Sequence, residues 1–286
     1  MKKEVLVTVA IPTYNRPEYL RESLKSVLGQ TYKNFYVLIL DNHSDKDNES
    51  MVREFNDPRV KFIRHPKNIG IIANWNKAIE LCNTKYLSIF HDDDIMEPEF
   101  LKESIMVLEK NNKAAFSYCK ANKVDKNGKY LSLWSDLYPK VGLIKAPGYL
   151  IYSAGKNCCV TIAPTVVFRK DIFNKVGGFS DKLVFNSFDF NLYLRIALKY
   201  EIFFINKVLI KYRVHNKQMS QTYWWSEDKL KGRVATMLEI QQAIWNLING
   251  NHKVAKNRDL LESLMKAGDK TTEQLAIYIK KILPDI

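Results

Sequence analysis

Hydrophobic residues in the first half of the chain follow two alternating patterns. Short, nearly continuous apolar runs are typical of strands buried on both faces, whereas apolar residues that recur every three or four positions are typical of amphipathic helices. The runs occupy residues 4–11, 35–40, 60–63, 86–90 and 114–119, and the helical spacing occupies about 17–28, 72–82 and 98–110. This β-α-β-α order predicts an α/β fold with a mostly parallel sheet and helices on both faces.

Turn and capping residues punctuate the first of these helices. Asn15 is predicted to cap it, Pro17 lies in its first turn, and Gly29 ends it.

The second half of the chain is less regular. It predicts strands at residues 165–169, 202–205 and 209–214, a helix at 189–199, and helices at 227–249, 255–267 and 271–283. We therefore predict a nucleotide-binding and catalytic domain over residues 1–225 and a C-terminal helical extension over residues 226–286. The apolar face of that extension fits packing on the domain, docking on a membrane surface or homodimerisation.

Polar clusters follow three of the predicted strands. They are Pro12-Thr13-Tyr14-Asn15, Asp41-Asn42 and His91-Asp92-Asp93-Asp94. Parallel strands present their carboxyl ends at one edge of a sheet, where ligands of such folds bind. The three clusters are therefore predicted to form one site.

The chain is basic, with 44 Lys and Arg against 31 Asp and Glu and a net charge of +13. Residues 227–286 hold ten basic and eight acidic residues, so an excess of +11 belongs to residues 1–226. Such an excess favours phosphate-bearing partners, such as a nucleotide, a lipid-linked diphosphate or an anionic membrane. No nucleic-acid-binding motif accompanies the charge, so nucleic acid is not expected as a partner.

Apolar segments and cysteines bear on location. No segment reaches the ~18 unbroken apolar residues of a membrane span, and the first apolar run ends at Pro12 rather than at a small-residue cleavage site. None of the four cysteines forms a CxxC pair, so they are predicted to be buried free thiols. A cytoplasmic location is expected, with peripheral contact at the inner face of the cell membrane as a further hypothesis.

The three adjacent carboxylates Asp92, Asp93 and Asp94 repel one another, which a hard cation such as Mn²⁺ or Mg²⁺ would relieve. Such a metal would bridge diphosphate oxygens and neutralise the charge of a departing diphosphate. An alternative is that Asp94 caps the helix after Pro98. His215 is a further candidate ligand for metal or phosphate, or a satisfied structural histidine.

Other polar residues suit a nucleotide. Asp41 can accept a hydrogen bond from a base or a ribose hydroxyl, or else form the turn that follows its strand. Thr13 and Tyr14 can contact the same base, and Arg16 or Arg64 can meet a phosphate or remain a surface charge.

Asp189 is the candidate general base, which would deprotonate an acceptor hydroxyl. Its aromatic neighbours Phe185, Phe188 and Phe190 are predicted to desolvate it and raise its pKa. The competing interpretation is structural, because a carboxylate at the start of a helix is stabilised by the helix dipole.

Together, eight segments resemble the family 2 glycosyltransferases with the GT-A fold. They are Val9–Arg16, Ser26–Tyr32 (S-x-L-x-Q-T), Asp41–Asp45 (D-[DN]-x-S-x-D), Asn68–Gly70 (N-x-G), His91–Asp94 (D-x-D-D), Gly177–Phe179 (GGF), Phe188–Arg195 (E-D-x-D-L-x-x-R) and Tyr212–His215 (Y-R-x-H). The order of these segments over residues 5–220 carries the resemblance, since no single one is specific.

The resemblance implies a Rossmann-like nucleotide-sugar fold and roles for particular residues. Asp93 would be the best metal ligand, supported by Asp94, by Asp92 on the nucleotide side and by His215, while Asp189 would be the base. Two positions depart from the pattern: His91 replaces the first Asp of the metal motif, and Phe188 replaces the Glu before the base. The nucleotide contacts it implies are Pro12, Thr13, Tyr14, Arg16, Asp41 and Asn68, and Gly177, Gly178 and Phe179 would form the acceptor-side loop.

The implied activity is an inverting, metal-dependent transfer from a nucleoside-diphosphate sugar, by default a UDP-sugar. The acceptor would be a glycan or a lipid-linked carrier, as in bacterial surface-polysaccharide assembly. A nucleotidyltransferase is an alternative, but the turn after the first strand lacks glycine. A non-catalytic nucleotide- or sugar-binding relative is another, favoured by His91 and Phe188 and opposed by Asp93 and Asp189.

Overall fold

The structure is a computed structural model that describes residues 6–134, 141–146, 148–149, 160–179, 188–197, 199–216 and 218. The predicted helices of the C-terminal extension lie outside the described residues, as do Cys158, Cys159 and Phe185. The prediction for 226–286 therefore stays a prediction. Cys82 and Cys119 are free and buried, as expected.

Helices and strands alternate through the first part of the chain, as the hydrophobic pattern predicts. The elements are β1 (Val7–Thr13), α1 (Pro17–Leu28), β2 (Phe35–Asp41), α2 (Asn48–Arg53), β3 (Val60–Arg64), α3 (Ile71–Leu81), β4 (Tyr86–Ile89), β5 (Ile95–Met96) and α4 (Phe100–Lys110). The later elements are β6 (Ala114–Val124), β7 (Tyr130–Leu133), β8 (Gly142–Ile144), a 3₁₀ turn (Ala163–Thr165), β9 (Val166–Arg169), α5 (Ile172–Val176), α6 (Phe188–Ala197) and β10 (Glu201–Arg213).

The described strands form one sheet in the order β3-β2-β1-β4-β9-β6-β10-β5, with β7 beside β6 and β8 beside β10. The α/β sheet flanked by helices is confirmed, and the four strands from β3 to β4 are parallel. The second half of the sheet is mixed, because β9 returns antiparallel between β4 and β6. The expectation of a mostly parallel sheet therefore holds for the half that carries the strand-end clusters.

Strand β10 corrects one element of the sequence prediction. The two short strands expected at 202–205 and 209–214 are one long strand that pairs with β6, with register shifts around Val208. Asn206 and Lys207 are exposed between the two apolar runs. The irregularity interrupts the hydrophobic pattern without ending the strand.

Apolar residues pack on both faces of the sheet. Alternate residues of β1 point to opposite faces: Val9 and Ile11 join a cluster with Leu24 of α1 and Leu108 of α4, whereas Ala10 joins a second cluster beneath α3 and α6. Burial on both faces explains why the first strand is a continuous apolar run.

Helix α1 begins at Pro17 and ends at Gly29, as predicted. Asn15, however, does not cap it: Arg16 precedes the helix without a side-chain cap. Asn15 adopts a positive φ of 59°, and its amide oxygen accepts the N–H of Asp45 at 2.7 Å. This turn joins the end of β1 to the loop after β2.

No helix of the described part of the chain has both the length and the apolar character needed to cross a bilayer.

Candidate active site

The three strand-end clusters meet at the carboxyl edge of the parallel strands. Thr13 is the register partner of Asp41, and its carbonyl accepts the Asn42 N–H at 2.9 Å. The Thr13 hydroxyl donates to Asp92 Oδ2 at 2.7 Å. The last residue of β1 thus joins the Asp41 loop on one side to the carboxylate cluster on the other, and the predicted convergence is confirmed.

Asp92, Asp93 and Asp94 are all buried. The guanidinium Nη1 of Arg16 lies 3.3 Å from Asp92 Oδ1 and 2.9 Å from Asp93 Oδ2. His215 Nε2 lies 3.0 Å from the same oxygen of Asp93. Arg16 and His215 therefore provide nearby countercharge or hydrogen bonding to Asp93.

Asp94 does not cap α4, which corrects the alternative weighed for it. Its Oδ1 accepts the backbone N–H of Arg213 at 2.8 Å, while Oδ2 is buried and accepts no hydrogen bond from the described residues. His91 Nδ1 lies 3.1 Å from that Oδ2. The imidazole nitrogen and this buried carboxylate oxygen face each other, and both atoms are of kinds that can ligate a cation.

A divalent metal fits the donor set. One ligand atom each from His91, Asp93 and Asp94 can lie within 4.8 Å of the others. His91, which departs from the family pattern, is therefore a ligand candidate that sequence reasoning missed. Its imidazole disfavours Mg²⁺, which prefers oxygen ligands, relative to Mn²⁺. Asp92 lies outside this group and is held by Thr13 and Arg16 instead.

The pKa values of the cluster reflect burial and mutual repulsion. Burial, reinforced by the charge of Asp93, raises the pKa of Asp92 and of Asp94 to about 6. Burial acts on Asp93 too, but the hydrogen bond from His215 and the charges of His91 and Arg16 outweigh it and lower its pKa. Burial opposes the protonation of His91, yet Asp94 outweighs it and raises the His91 pKa. Asp93 is thus the most firmly ionised of the three carboxylates.

The end of β10 crosses behind the cluster. The buried Arg213 guanidinium donates to the Asp93 carbonyl at 2.8 Å and to the Lys126 carbonyl at 2.6 Å, and pairs with Glu22 of α1. Gln218 Nε2 donates to the Arg213 carbonyl. These contacts hold His215 beside Asp93.

Asp41 forms the turn that follows β2, the second of the two roles considered for it. Its carboxylate accepts hydrogen bonds from the Ser44 hydroxyl, the Ser44 N–H and the Asn48 amide. It is 1% exposed, and Arg64 Nε lies 3.9 Å away. Asp41 therefore organises the loop that borders the site.

Asn68 supports the same loop from β3's side. Its side-chain oxygen accepts the Asn42 amide at 2.9 Å and the Gly70 N–H at 2.9 Å. Tyr14 is 45% exposed, and the half-buried Pro12 lies near the end of β1. The predicted nucleotide contacts thus lie along one edge.

The Gly177-Gly178-Phe179 loop is held by hydrogen bonds from Asn76 of α3 and Arg195 of α6. Gly177 has a φ of 77°, and a Cβ on Gly178 would collide with the Asn76 side-chain oxygen. That oxygen accepts the Phe179 N–H at 2.8 Å, and the Asn76 amide donates to the Phe179 carbonyl at 2.9 Å. Arg195 of α6 donates to the Gly178 carbonyl at 2.6 Å. The loop therefore fixes α6 against α3.

Asp189 lies in the first turn of α6. Burial raises its pKa, as its aromatic neighbours predict, against weaker opposition from the Phe190 N–H and His91. The Trp75 ring lies 5.6 Å from His91 and 4.9 Å from Phe188. Trp75 therefore brings the start of α6 to the carboxylate cluster.

Side chains at the end of α1 hold the segment that follows the cluster. Ser26 and Gln30 belong to the S-x-L-x-Q-T motif and Ser23 lies one turn before it, although sequence reasoning gave none of the three a role. Ser23 donates to the His91 carbonyl at 2.9 Å, and Ser26 accepts the Met96 N–H at 3.0 Å. Gln30 donates to the Glu97 carbonyl at 2.7 Å and accepts the Leu101 N–H at 2.9 Å.

Residues 8–177 match the model of the family described as Glycosyl transferase family 2. This match covers more than half of the chain, and the chain belongs to that family. It is 31% identical over 217 residues to an uncharacterized glycosyltransferase of Methanocaldococcus jannaschii, covering 74% of this chain and 72% of that protein. The family assignment favours a glycosyltransferase over the nucleotidyltransferase considered as an alternative.

Solved structures share the fold. Residues 1–349 of S. aureus TarS in complex with UDP-GlcNAc superpose with a TM-score of 0.67 at 18% identity, covering 82% of this chain and 66% of that one. The mannosyltransferase PcManGT from Pyrobaculum calidifontis, in complex with GDP-Man and Mn²⁺, gives a TM-score of 0.60 at 15% identity over 99% of this chain and 81% of that one. The protein is a glycosyltransferase of GT-A fold.

Proposed function

We propose that the protein transfers a sugar from a nucleoside-diphosphate sugar, in particular a UDP-sugar, to an acceptor hydroxyl with inversion at the anomeric carbon. The observation that carries this proposal is the junction at Thr13, which joins the Asp41 loop to the buried carboxylate cluster. A donor lying along this edge would place its base near β2 and its diphosphate near the cluster. The nucleotide sugars held by TarS and PcManGT support a donor of this class.

The base would lie between Pro12, Tyr14 and Asn68. Carboxylates offer about four acceptor positions, and Asp41 uses three of them for Ser44 and Asn48. The remaining position suits a base imide or a ribose hydroxyl. Asp41 would then act both as the organiser of the loop and as a donor contact.

Mn²⁺, or Mg²⁺ as the weaker fit, would be held by His91, Asp93 and Asp94, with His215 supporting Asp93. When bound, the metal would supply positive charge to the diphosphate as the sugar leaves. The chain's own contribution is to keep Asp93 ionised and to hold the cluster in a buried pocket where charge interactions are strong.

Asp189 would take the proton of the acceptor hydroxyl as that oxygen attacks the anomeric carbon. Its raised pKa makes it a better proton acceptor than an exposed aspartate. Direct attack inverts the anomeric carbon and requires no covalent sugar–enzyme intermediate. The Gly177–Phe179 loop, which is tied to α6 by Arg195, would border the acceptor.

A glycan or lipid-linked acceptor suits the basic character of residues 1–226. Lipid-linked carriers hold their sugar through a phosphate or diphosphate, which such a surface attracts. On this proposal the protein acts in the cytoplasm at the inner face of the membrane, in the assembly of a surface polysaccharide. A homodimer formed through residues 226–286 remains an alternative use of that extension.

A thermal-shift screen of nucleoside diphosphates with Mn²⁺ tests the donor site. We expect UDP and Mn²⁺ together to raise the Tm, and Asp93→Ala to abolish the metal-dependent part because it removes the most firmly ionised ligand. Asp47→Ala is a matched control, since Asp47 is an exposed residue that caps α2. No stabilisation of the wild-type protein by any nucleoside diphosphate would contradict the proposed donor site.

A further inference from the structure

Arg16 occupies the position of a cation in the carboxylate cluster. Its Nη1 lies within 3.3 Å of Asp92 and 2.9 Å of Asp93. Burial would lower the pKa of the guanidinium, but the charges of the two carboxylates outweigh it. In this state of the protein, Arg16 neutralises the carboxylate on which the proposed metal site most depends.

The backbone beneath Arg16 is held by hydrogen bonds, whereas the Arg16 side chain is partly exposed. The Asn15 N–H donates to Ser44 Oγ at 2.8 Å, and the Asn15 amide exchanges hydrogen bonds with Asp45. The Arg16 side chain is 26% exposed, against 7% for Asp92 and 6% for Asp93. The Arg16 side chain is therefore more accessible to an arriving ligand than the two carboxylates are.

A divalent ion at Asp93 and a guanidinium on the same carboxylate repel each other. A diphosphate beside that ion is, in contrast, a favourable partner for the guanidinium, because the planar fork of arginine matches phosphate oxygens. The long side chain can change partners while the Asn15 turn stays in place.

We propose that Arg16 is an exchangeable countercation: it neutralises Asp92 and Asp93 before the donor binds and transfers to the diphosphate when the metal–nucleotide complex arrives. This inference rests on the proposed function and assigns Arg16 a second role in addition to phosphate binding. The exchange makes the metal bind weakly alone and strongly with the nucleotide, so that each ligand increases the affinity for the other.

The test is a titration with Mn²⁺ alone, followed by a titration with UDP at saturating Mn²⁺, at low salt. Arg16→Gln should bind Mn²⁺ about tenfold more tightly than the wild type, because a competing positive charge has been removed. The same variant should bind UDP roughly 10- to 100-fold more weakly, because a charge-assisted hydrogen bond has been lost. Opposite changes in the two affinities distinguish the exchange from a structural role, which would weaken both.

Arg21→Gln is the matched control, since it removes one positive charge from the same helix, where Arg21 pairs with the exposed Glu54. Its Mn²⁺ affinity should stay within about twofold of the wild type, because solvent and salt screen an exposed charge. If Arg16→Gln fails to fold, Arg16→Met replaces it. Methionine also removes the positive charge, so Mn²⁺ should again bind more tightly than to the wild type.

An unchanged or weaker Mn²⁺ affinity in a folded Arg16 variant would overturn the exchange. Wild-type protein that binds Mn²⁺ but no nucleoside diphosphate would contradict the proposed function instead. If neither the wild type nor the variants bind Mn²⁺, the metal site and the exchange are both rejected.

Discussion

Asp189 combines a structural position with a chemical one. A carboxylate in the first turn of α6 is favoured by the helix dipole, and its Oδ1 accepts the Phe190 N–H at 2.8 Å. Burial nevertheless raises its pKa, so the site favours its proton-bound form more than a surface position would. The dipole explains why the residue is tolerated there, and the desolvation suits it to accept a proton.

Asp189→Asn should separate these two contributions. Asparagine keeps an oxygen for the Phe190 N–H but cannot accept the acceptor proton, so kcat should fall by roughly 10²–10⁴-fold. The Kd of the donor should change little, because the residue does not contact the nucleotide in the proposed arrangement. Steady-state transfer kinetics and donor titration provide the two measurements. Transfer at the wild-type rate would exclude Asp189 as the base.

The carboxylate cluster predicts an unusual pH dependence for the metal-free protein. The folded pKa of Asp94 is about 6, above its unfolded value, so the folded state binds more protons between about pH 4 and 6. Stability from this group therefore rises as the pH falls from 7. The raised pKa of His91 acts in the same direction, whereas the lowered pKa of Asp93 acts only at more acidic pH.

Asp94→Asn removes the free-energy cost of burying a charged carboxylate, because asparagine is uncharged. The asparagine oxygen can still accept the Arg213 N–H. Thermal melts in chelator should show the variant more stable than the wild type at pH 7, by at most about 3 kcal/mol for a shift of roughly two pKa units. The difference should shrink at pH 5, where Asp94 is mostly protonated. A difference that is equal at both pH values would contradict the raised pKa.

At the scale of elements, α1 governs the loop that carries the cluster. The residue before α4, Glu99, makes no side-chain cap. Gln30 fulfils that function from the end of α1: its oxygen accepts the Leu101 N–H while its amide donates to the Glu97 carbonyl. Gln30 is fully buried. The spacing between the cluster and α4 therefore depends on a side chain more than sixty positions earlier.

Gln30→Ala should lower the free energy of unfolding by roughly 1–3 kcal/mol, because it leaves a buried N–H and carbonyl without partners. Because Gln30 positions the segment that follows the carboxylate cluster, Gln30→Ala should also weaken Mn²⁺ binding. Ser50→Ala is a control of similar chemistry on the exposed α2 cap. Denaturant unfolding and Mn²⁺ titration give the two results. Loss of stability with an unchanged Mn²⁺ affinity would limit Gln30 to the fold.

Local patterns predict the elements of the parallel half well. The alternation that buries Val9 and Ala10 on opposite faces is written in consecutive residues, and so are Pro17 and Gly29 at the ends of α1. The insertion of β9 between β4 and β6 depends on pairing between distant segments, which no local pattern encodes. The same holds for β10, whose exposed Asn206 and Lys207 look like the end of a strand.

The candidate site divides in the same way. Strand-end positions bring Thr13, Asp41 and Asp92 together, and the fold class predicts this. The partners of individual side chains are not predictable in this way, because they depend on rotamers and on loops. His91 joins the candidate metal group. Arg16 pairs with Asp92 and Asp93, whereas the sequence analysis considered only a phosphate or a surface position for it. The Trp75 ring packs near His91, and this contact is visible only in the three-dimensional structure.

Over the whole molecule, the sheet separates two packing faces and gathers the polar groups at one edge. Helices α1 and α4 cover one face, α3 and α6 cover the other, and both sides contribute to the site. Arg16 approaches from the α1 side, while Asp189 approaches from the α6 side. On the proposed function, the donor and the acceptor would therefore approach the cluster from opposite faces of the sheet.

The distribution of charge leads to a prediction about where this site operates. The excess of +11 lies in residues 1–226, and a surface of that charge should bind anionic bilayers through screened electrostatics. We expect the full-length protein to co-sediment with phosphatidylglycerol-containing vesicles at about 50 mM salt and to be released several-fold at about 500 mM, where the Debye length is only a few ångströms. Neutral phosphatidylcholine vesicles are the control.

A chain ending at Ser226 distinguishes the two sources of membrane affinity. If the basic domain provides it, the shortened chain should keep its salt-sensitive binding, because it retains nearly all of the net charge. If the apolar face of residues 226–286 provides it, binding should be lost in the shortened chain and should resist salt in the full-length protein, since apolar burial is not screened. Equal binding to neutral and anionic vesicles would contradict the electrostatic mechanism, and the basic surface would then have to serve the phosphates of donor and acceptor alone.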